Sequence, residues 1–226
     1  RIQANALRRD GKQTSNDLCD RDNDEQCDGN DGGDLQGNAI EQHQLGKVCH
    51  CQRCTAEQAV IKGEIDLLAA PRSFSDDFTP EKTAELFRSF ADDYDYILLD
   101  APAGIDRGFI LAASAADRAV VVSTPDYVCV RSCGRAFDEL RRMGKEDVRL
   151  VINMFEVKPV CKKKLLNIDQ CIDETGVQLL GVVPRDANIG FSSVTGTSPK
   201  EFAPSSLAFN RIAKRISGKR VPLVCE

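Results

Sequence analysis

The sequence predicts an α/β protein: a mostly parallel sheet with helices on both faces. Three observations carry this. From about residue 54 onward, apolar runs of strand length alternate with stretches of helical periodicity, which is the pattern of βαβ units. The run YDYILLD, Tyr94–Asp100, is nearly all apolar, as expected of a parallel strand buried on both faces. Four such runs also turn polar at their carboxyl ends, where open α/β sheets hold ligands.

The elements follow in order. Glu64–Ala69 reads as a short strand. Thr79-Pro80 supplies a helix N-cap with proline at the first helical position. Behind it, Thr83, Leu86, Phe87 and Phe90 fall on one helical stripe. After the Tyr94–Leu99 strand, Gly108–Ala116 is a helix of small residues and Arg118–Ser123 (RAVVVS) a second buried strand. Cys133, Ala136, Phe137 and Leu140 form the next helical stripe, ending near Gly144. Val148–Asn153 is a strand, residues 162–175 a helix and Gln178–Val183 a strand. The last helix carries Phe209, Ile212, Ala213 and Ile216, with Gly218 as its stop. No internal repeat is present.

Residues 1–50 differ from residues 51–226, which hold the α/β domain. The first fifty contain no aromatic residue and no Met, and Asp20–Asp34 carries seven acidic side chains against one Arg. Such a segment buries too little apolar surface to offset its ordering entropy. Poor order is therefore expected for residues 13–44.

The 226 residues, 42% of them hydrophobic, suffice for one sizeable core. A net charge of −5 gives no strong nucleic-acid signal. No apolar run reaches the roughly 18 residues of a membrane span, and no signal peptide is evident. The chain has ten cysteines, but it is too long and too well provided with core residues for a disulfide scaffold. Cys129, Cys133 and Cys171 occupy apolar helical positions, where a thiol acts as a small core residue. A reducing, cytoplasmic setting is expected.

The polar strand ends are Asp100, Ser123-Thr124-Pro125-Asp126, Asn153 and Pro184-Arg185-Asp186. If their strands are neighbours, these ends converge on one rim. A carboxylate such as Asp100 beside a glycine-containing turn suits a metal-bound phosphate. The amide of Asn153, donor and acceptor at once, suits the edge of a purine.

The runs YDYILLDAPAGIDRGF, ADRAVVVSTPD, LVINMF, LLGVVPRD and IAKRISGKRVPL together resemble the MinD/ParA family of deviant P-loop ATPases, MinD-like members most of all. The resemblance covers residues 54–226. It implies a Rossmann-like P-loop NTPase architecture and an ATP-dependent switch, with Mg2+, in cell-division site placement or intracellular positioning. It further implies a homodimer that closes around ATP and a regulatory protein partner. Asp100 would be the catalytic-site aspartate that holds Mg2+ through water. Pro102, Ala103 and Gly104 would form the loop that senses the γ-phosphate. Asn153 would contact adenine, and Pro184, Arg185 and Asp186 would line the base pocket.

The chain departs from that pattern at three points. The glycine-rich phosphate loop is missing: Gly11-Lys12-Gln13-Thr14 lacks its upstream glycine. Ala6–Lys12 resembles instead the helix that follows this loop, which would place the loop and the first strand before Arg1. Weak or absent nucleotide binding is the expectation. The family's next strand ends in Asp-x-Asp; Asp20 and Asp22 align with that pair, Asp22 being the catalytic candidate, but the strand before them has lost its apolar residues. The tail Val224-Cys225-Glu226 carries no basic amphipathic helix, so attachment to a membrane through the tail is not supported. A non-catalytic interaction module that keeps this fold is the alternative.

Two metal readings compete in the first sixty residues. Asp24-x-Gln26-x-Asp28-Gly29 begins like a calcium loop, but Leu35 stands where a bidentate Glu belongs. Cys49-His50-Cys51-x-x-Cys54 offers zinc ligands at a cramped spacing with no second pair. Lys162-Lys163-Lys164 reads as a solvated basic face.

Overall fold

The computed structural model describes residues 3–8, 60–61, 65–69, 78–197 and 199–223. The acidic stretch, the calcium and zinc candidates and the expected boundary at residue 50 lie outside them. Seven strands are described: β1 (Gln3–Arg8), β2 (Val60–Ile61), β3 (Asp66–Ala69), β4 (Tyr94–Asp100), β5 (Ala119–Ser123), β6 (Val148–Phe155) and β7 (Leu179–Pro184). The helices among the described residues are α1 (Pro80–Ser89), α2 (Arg107–Ala115), α3 (Tyr127–Arg142), α4 (Val157–Cys161), α5 (Ile168–Thr175), α6 (Ala187–Thr195) and α7 (Pro204–Ile216). The chain divides into two compact units, one of residues 1–102 and 110–115, the other of residues 103–109 and 116–226.

The second unit holds the expected parallel sheet, in the order β5-β6-β7. β6 lies at its centre, with Val148, Leu150, Val151 and Ile152 all buried. On β7, Leu180 and Val183 pack with Val151 of β6 and with Ala208 and Ile212 of α7. That approach requires Gly181, because a Cβ there would stand 2.5 Å from Ile212 Cγ1. The buried face of α7 is Ser205, Ala208 and Ile212. The expected stripe is thus rotated: Ile212 belongs to the core, whereas Phe209 is 52% exposed. Behind α7, the Arg215 guanidinium donates to Leu180 O at 2.8 Å, Val221 O at 3.0 Å and Pro222 O at 2.6 Å, clasping the tail to β7.

The helix expected over 162–175 is confined to its second half, α5 at Ile168–Thr175; α4 has already ended at Cys161. Lys163 turns the chain with φ +56, and Asn167 then starts α5 through a capping box with Gln170, accepting from Gln170 N at 2.8 Å. Cys171 on α5 is fully buried. Burial, with the Asp126 charge as a lesser cause, pushes its thiol up to about 11. Burial raises the Cys133 thiol as well. These groups stay protonated, which fits their reading as core residues.

The first unit has a different sheet, in the order β2-β3-β1-β4 with antiparallel pairing throughout. The segment Ala6–Arg8, expected to be helical, belongs to strand β1, whose backbone is bonded to β3 on one side and β4 on the other. Two ladders satisfy those backbone groups, and tertiary pairing overrides local preference. β4 is also not the doubly buried strand that its sequence suggests. Ile97 packs with Phe90 and Tyr94, and Leu99 with Leu111 and Ala112, while Tyr96 and Leu98 on the other face are 40% and 56% exposed. α1 begins as expected, Thr79 accepting from Lys82 N at 3.3 Å with Pro80 behind it.

Candidate functional site

The parallel register of β5, β6 and β7 brings three of the four polar strand ends to one rim. Ser123 pairs with Ile152, and Phe155 with Pro184. Ser123–Asp126, Asn153 and Pro184–Asp186 therefore lie at adjacent carboxyl ends. Asp100 ends β4, in the other sheet, where it pairs with Gln3. Asp22, Gly11 and Lys12 lie outside the described residues.

At the β5 end, Ser123 is buried, and Asp126 caps α3 by accepting from Cys129 N at 2.9 Å. The Thr124 hydroxyl donates a short hydrogen bond to the same carboxylate. Thr124 first, then the Cys129 N–H, hold the Asp126 carboxyl below its ordinary range. This aspartate builds the helix start, a role legible in an Asp directly before an apolar helical stretch.

At the β6 end the ladder slips. Ile152 pairs with Val182 and Phe155 with Pro184, so β6 spends one residue more than β7 over this step. The extra residue forms a bulge at Asn153 and Met154, with Met154 at φ +53 and 52% exposed. Asn153 Oδ1 accepts from Met154 N at 2.9 Å. Nothing in the sequence flags Met154, because a bulge leaves no compositional trace where a non-glycine residue takes the left-handed turn.

At the β7 end, Arg185 N donates to Phe155 O at 3.0 Å and Arg185 Nη1 to Glu156 Oε1 at 2.9 Å, tying β7 to the end of β6. Asp186 caps α6, accepting from Asn188 N at 2.9 Å, and takes a 2.7 Å hydrogen bond from the buried Ser205 hydroxyl of α7. Ser205 first, then the Asn188 N–H, lower the carboxyl's pKa. Its side chain thus joins two helices, one of which, α6, the sequence analysis did not foresee.

At the β4 end, Asp100 is exposed, and the chain turns through Pro102 and Ala103 to Gly104, whose φ of +102 suits glycine alone. Asp106 then accepts from Gly108 N at 3.1 Å and Phe109 N at 3.3 Å, starting α2.

The donor set can be compared with a Mg–nucleotide. The Asn153 amide and the Pro184 ring suit the edge and face of a base, and an exposed strand-end carboxylate such as Asp100 suits a hydrated Mg2+. No glycine-rich phosphate cradle occurs among the described residues, nor does any cluster of three or more metal-ligating side chains. The second unit by itself thus offers groups that suit a base, and Asp100 of the first unit by itself a carboxylate that suits an ion; no transfer step follows.

A parallel sheet with a polar carboxyl rim, flanked by helices, defines an open α/β fold of the kind that holds ligands at its strand ends. No protein-family model matches the chain. Among curated relatives, it is 34% identical over 182 residues to the septum site-determining protein MinD of Bacillus subtilis, covering 76% of this chain and 67% of that protein. The MinD cell division protein of Aquifex aeolicus superposes with a TM-score of 0.62 at 28% identity, over 65% of this chain and 64% of that one; it is also known in a MinC:MinD complex. Pyrococcus horikoshii MinD complexed with Mg-ADP superposes at TM-score 0.58 with 21% identity, over 71% and 68% of the two chains, a likeness of fold alone. This chain belongs to the MinD family, and spans about two thirds of the length of these relatives.

Proposed function

We propose that the chain acts in placing the division site, as a MinD-type switch whose rim at β5–β7 takes the base of ATP. The observation that carries this reading is the shared rim: three polar strand ends held in parallel register, on a chain 34% identical over 182 residues to a septum site-determining protein. In this reading Asn153 and Pro184 orient the base. Arg185 keeps the β7 end against β6 through Glu156, and Asp186 locks α6 to α7 beneath it. Asp100 holds Mg2+ through water, and Pro102–Gly104 respond to the terminal phosphate. The nucleotide supplies the energy difference between two states; the residues present here bind and orient it. A homodimer closed around ATP, a regulatory protein partner of the kind in the A. aeolicus MinC:MinD complex and a cytoplasmic location belong to the same reading. Among the described residues no helix is long and apolar enough to cross a membrane.

A second reading, a non-catalytic interaction module, is favoured by one observation. Arg185 and Asp186 already spend their charged groups on internal partners. Calorimetric titration with Mg–ATP in large excess, on the wild-type chain and on Asp100→Ala, separates the two. The switch reading expects weak binding heat that disappears in the variant. No heat from either protein would leave the interaction module.

A further inference from the structure

We propose that Met154 is the residue that lies against the face of the bound base, presented there by the bulge in β6. The inference rests on the nucleotide reading above and deepens it. Met154 occupies the left-handed region at φ +53, which residues other than Gly, Asn and Asp seldom adopt. A strained position in a fold is ordinarily offset by packing, but this side chain is 52% exposed and gains little from burial. Strain of this kind clusters where a site must present a group, and bulges re-aim side chains beside sites.

The surroundings identify the chemistry. Asn153 Oδ1 takes the Met154 N–H at 2.9 Å, leaving the two Nδ2 donors without a partner among the described residues. Across the ladder stands Pro184, paired with Phe155. One amide with free donors, one proline ring and one flexible, polarisable thioether suit a flat heteroaromatic ring with acceptors on its edge. Thioethers contact such rings favourably, and a purine carries acceptor nitrogens.

The chain holds two methionines. Methyl-13C-methionine labelling therefore gives two signals, Met154 as probe and Met143 at the end of α3 as internal reference, assigned with Met154→Leu. Adding AMP or Mg–ATP moves the Met154 methyl upfield through the ring current and leaves Met143 in place; ribose 5-phosphate moves neither. Met154→Ala weakens AMP binding by roughly 2- to 10-fold, while Met154→Leu stays within about 2-fold. Mg–ATP heat in the calorimeter with an unmoved Met154 signal would overturn this assignment and leave the nucleotide reading standing. An equal shift with ribose 5-phosphate would overturn it too, by assigning the effect to sugar or phosphate. No heat and no shift with either nucleotide would overturn both.

Discussion

β4 and β6 carry similar apolar runs, YDYILLD and VRLVINMF, in different surroundings. β6 has a parallel strand on each side and buries residues on both faces of its run, Val148, Leu150 and Ile152 on one and Val151 on the other. β4 is the last strand of its sheet, antiparallel to β1, and exposes Tyr96 and Leu98. β5, an edge strand too, exposes Val120 and Val122 while burying Val121 and Ser123. An apolar run therefore specifies a strand, whereas the number of its covered faces depends on what flanks it.

This contrast predicts its own largest effect. Leu150→Ala, at a fully buried site, is expected to lower stability by about 2–5 kcal/mol. Leu98→Ala, at the exposed face of β4, should stay within about 0.5 kcal/mol. Urea unfolding of the two variants measures both. Comparable losses would mean that the outer face of β4 is covered in solution.

Next comes the close approach of α7 to β7. Gly181→Ala sets a methyl against Ile212 and is expected to cost about 1–3 kcal/mol. Combining it with Ile212→Val, which removes the Cδ1 methyl 2.9 Å from that Cβ, should recover part of the loss. Additive costs would show that α7 gives way instead.

A smaller loss than at the α7 contact is expected at the rim. Asp126→Ala removes the cap of α3 and is expected to cost about 1 kcal/mol near neutral pH. The folded carboxyl titrates below its unfolded value of about 3.9. Its contribution is therefore complete above that value and is lost as pH falls through the lower, folded pKa. Wild type and variant should converge in acid, as thermal melts across a pH series would reveal.

Much of the second unit, and the start of α1 in the first, was legible in the sequence, and for definite reasons. The Thr79-Pro80 start, the AVVVS and LVIN runs and the polar residues behind them are local signals, and local signals survive folding. The misjudged features depend on partners distant in sequence. Ala6–Arg8 is a strand because β4 pairs with it along its length, with β3 joining at Ala6. Phe209 lies outside the core because Gly181 admits Ile212, which fixes the rotation of α7. Of the candidate site, Asn153, Pro184, Arg185 and Asp186 were readable as polar ends of neighbouring strands, whereas the bulge that turns Met154 outward arises from a one-residue mismatch between β6 and β7 that neither strand encodes alone.

The Arg215 clasp has a mechanical meaning. Its guanidinium holds carbonyls of Val221 and Pro222 together with that of Leu180, so a pull on the segment beyond α7 loads the two tail bonds side by side and passes through the third to β7, four residues from the end of the strand at Pro184. A lysine, with one compact ammonium, lacks the planar fork that grips these carbonyls together; that single change would uncouple tension on the tail from the strand.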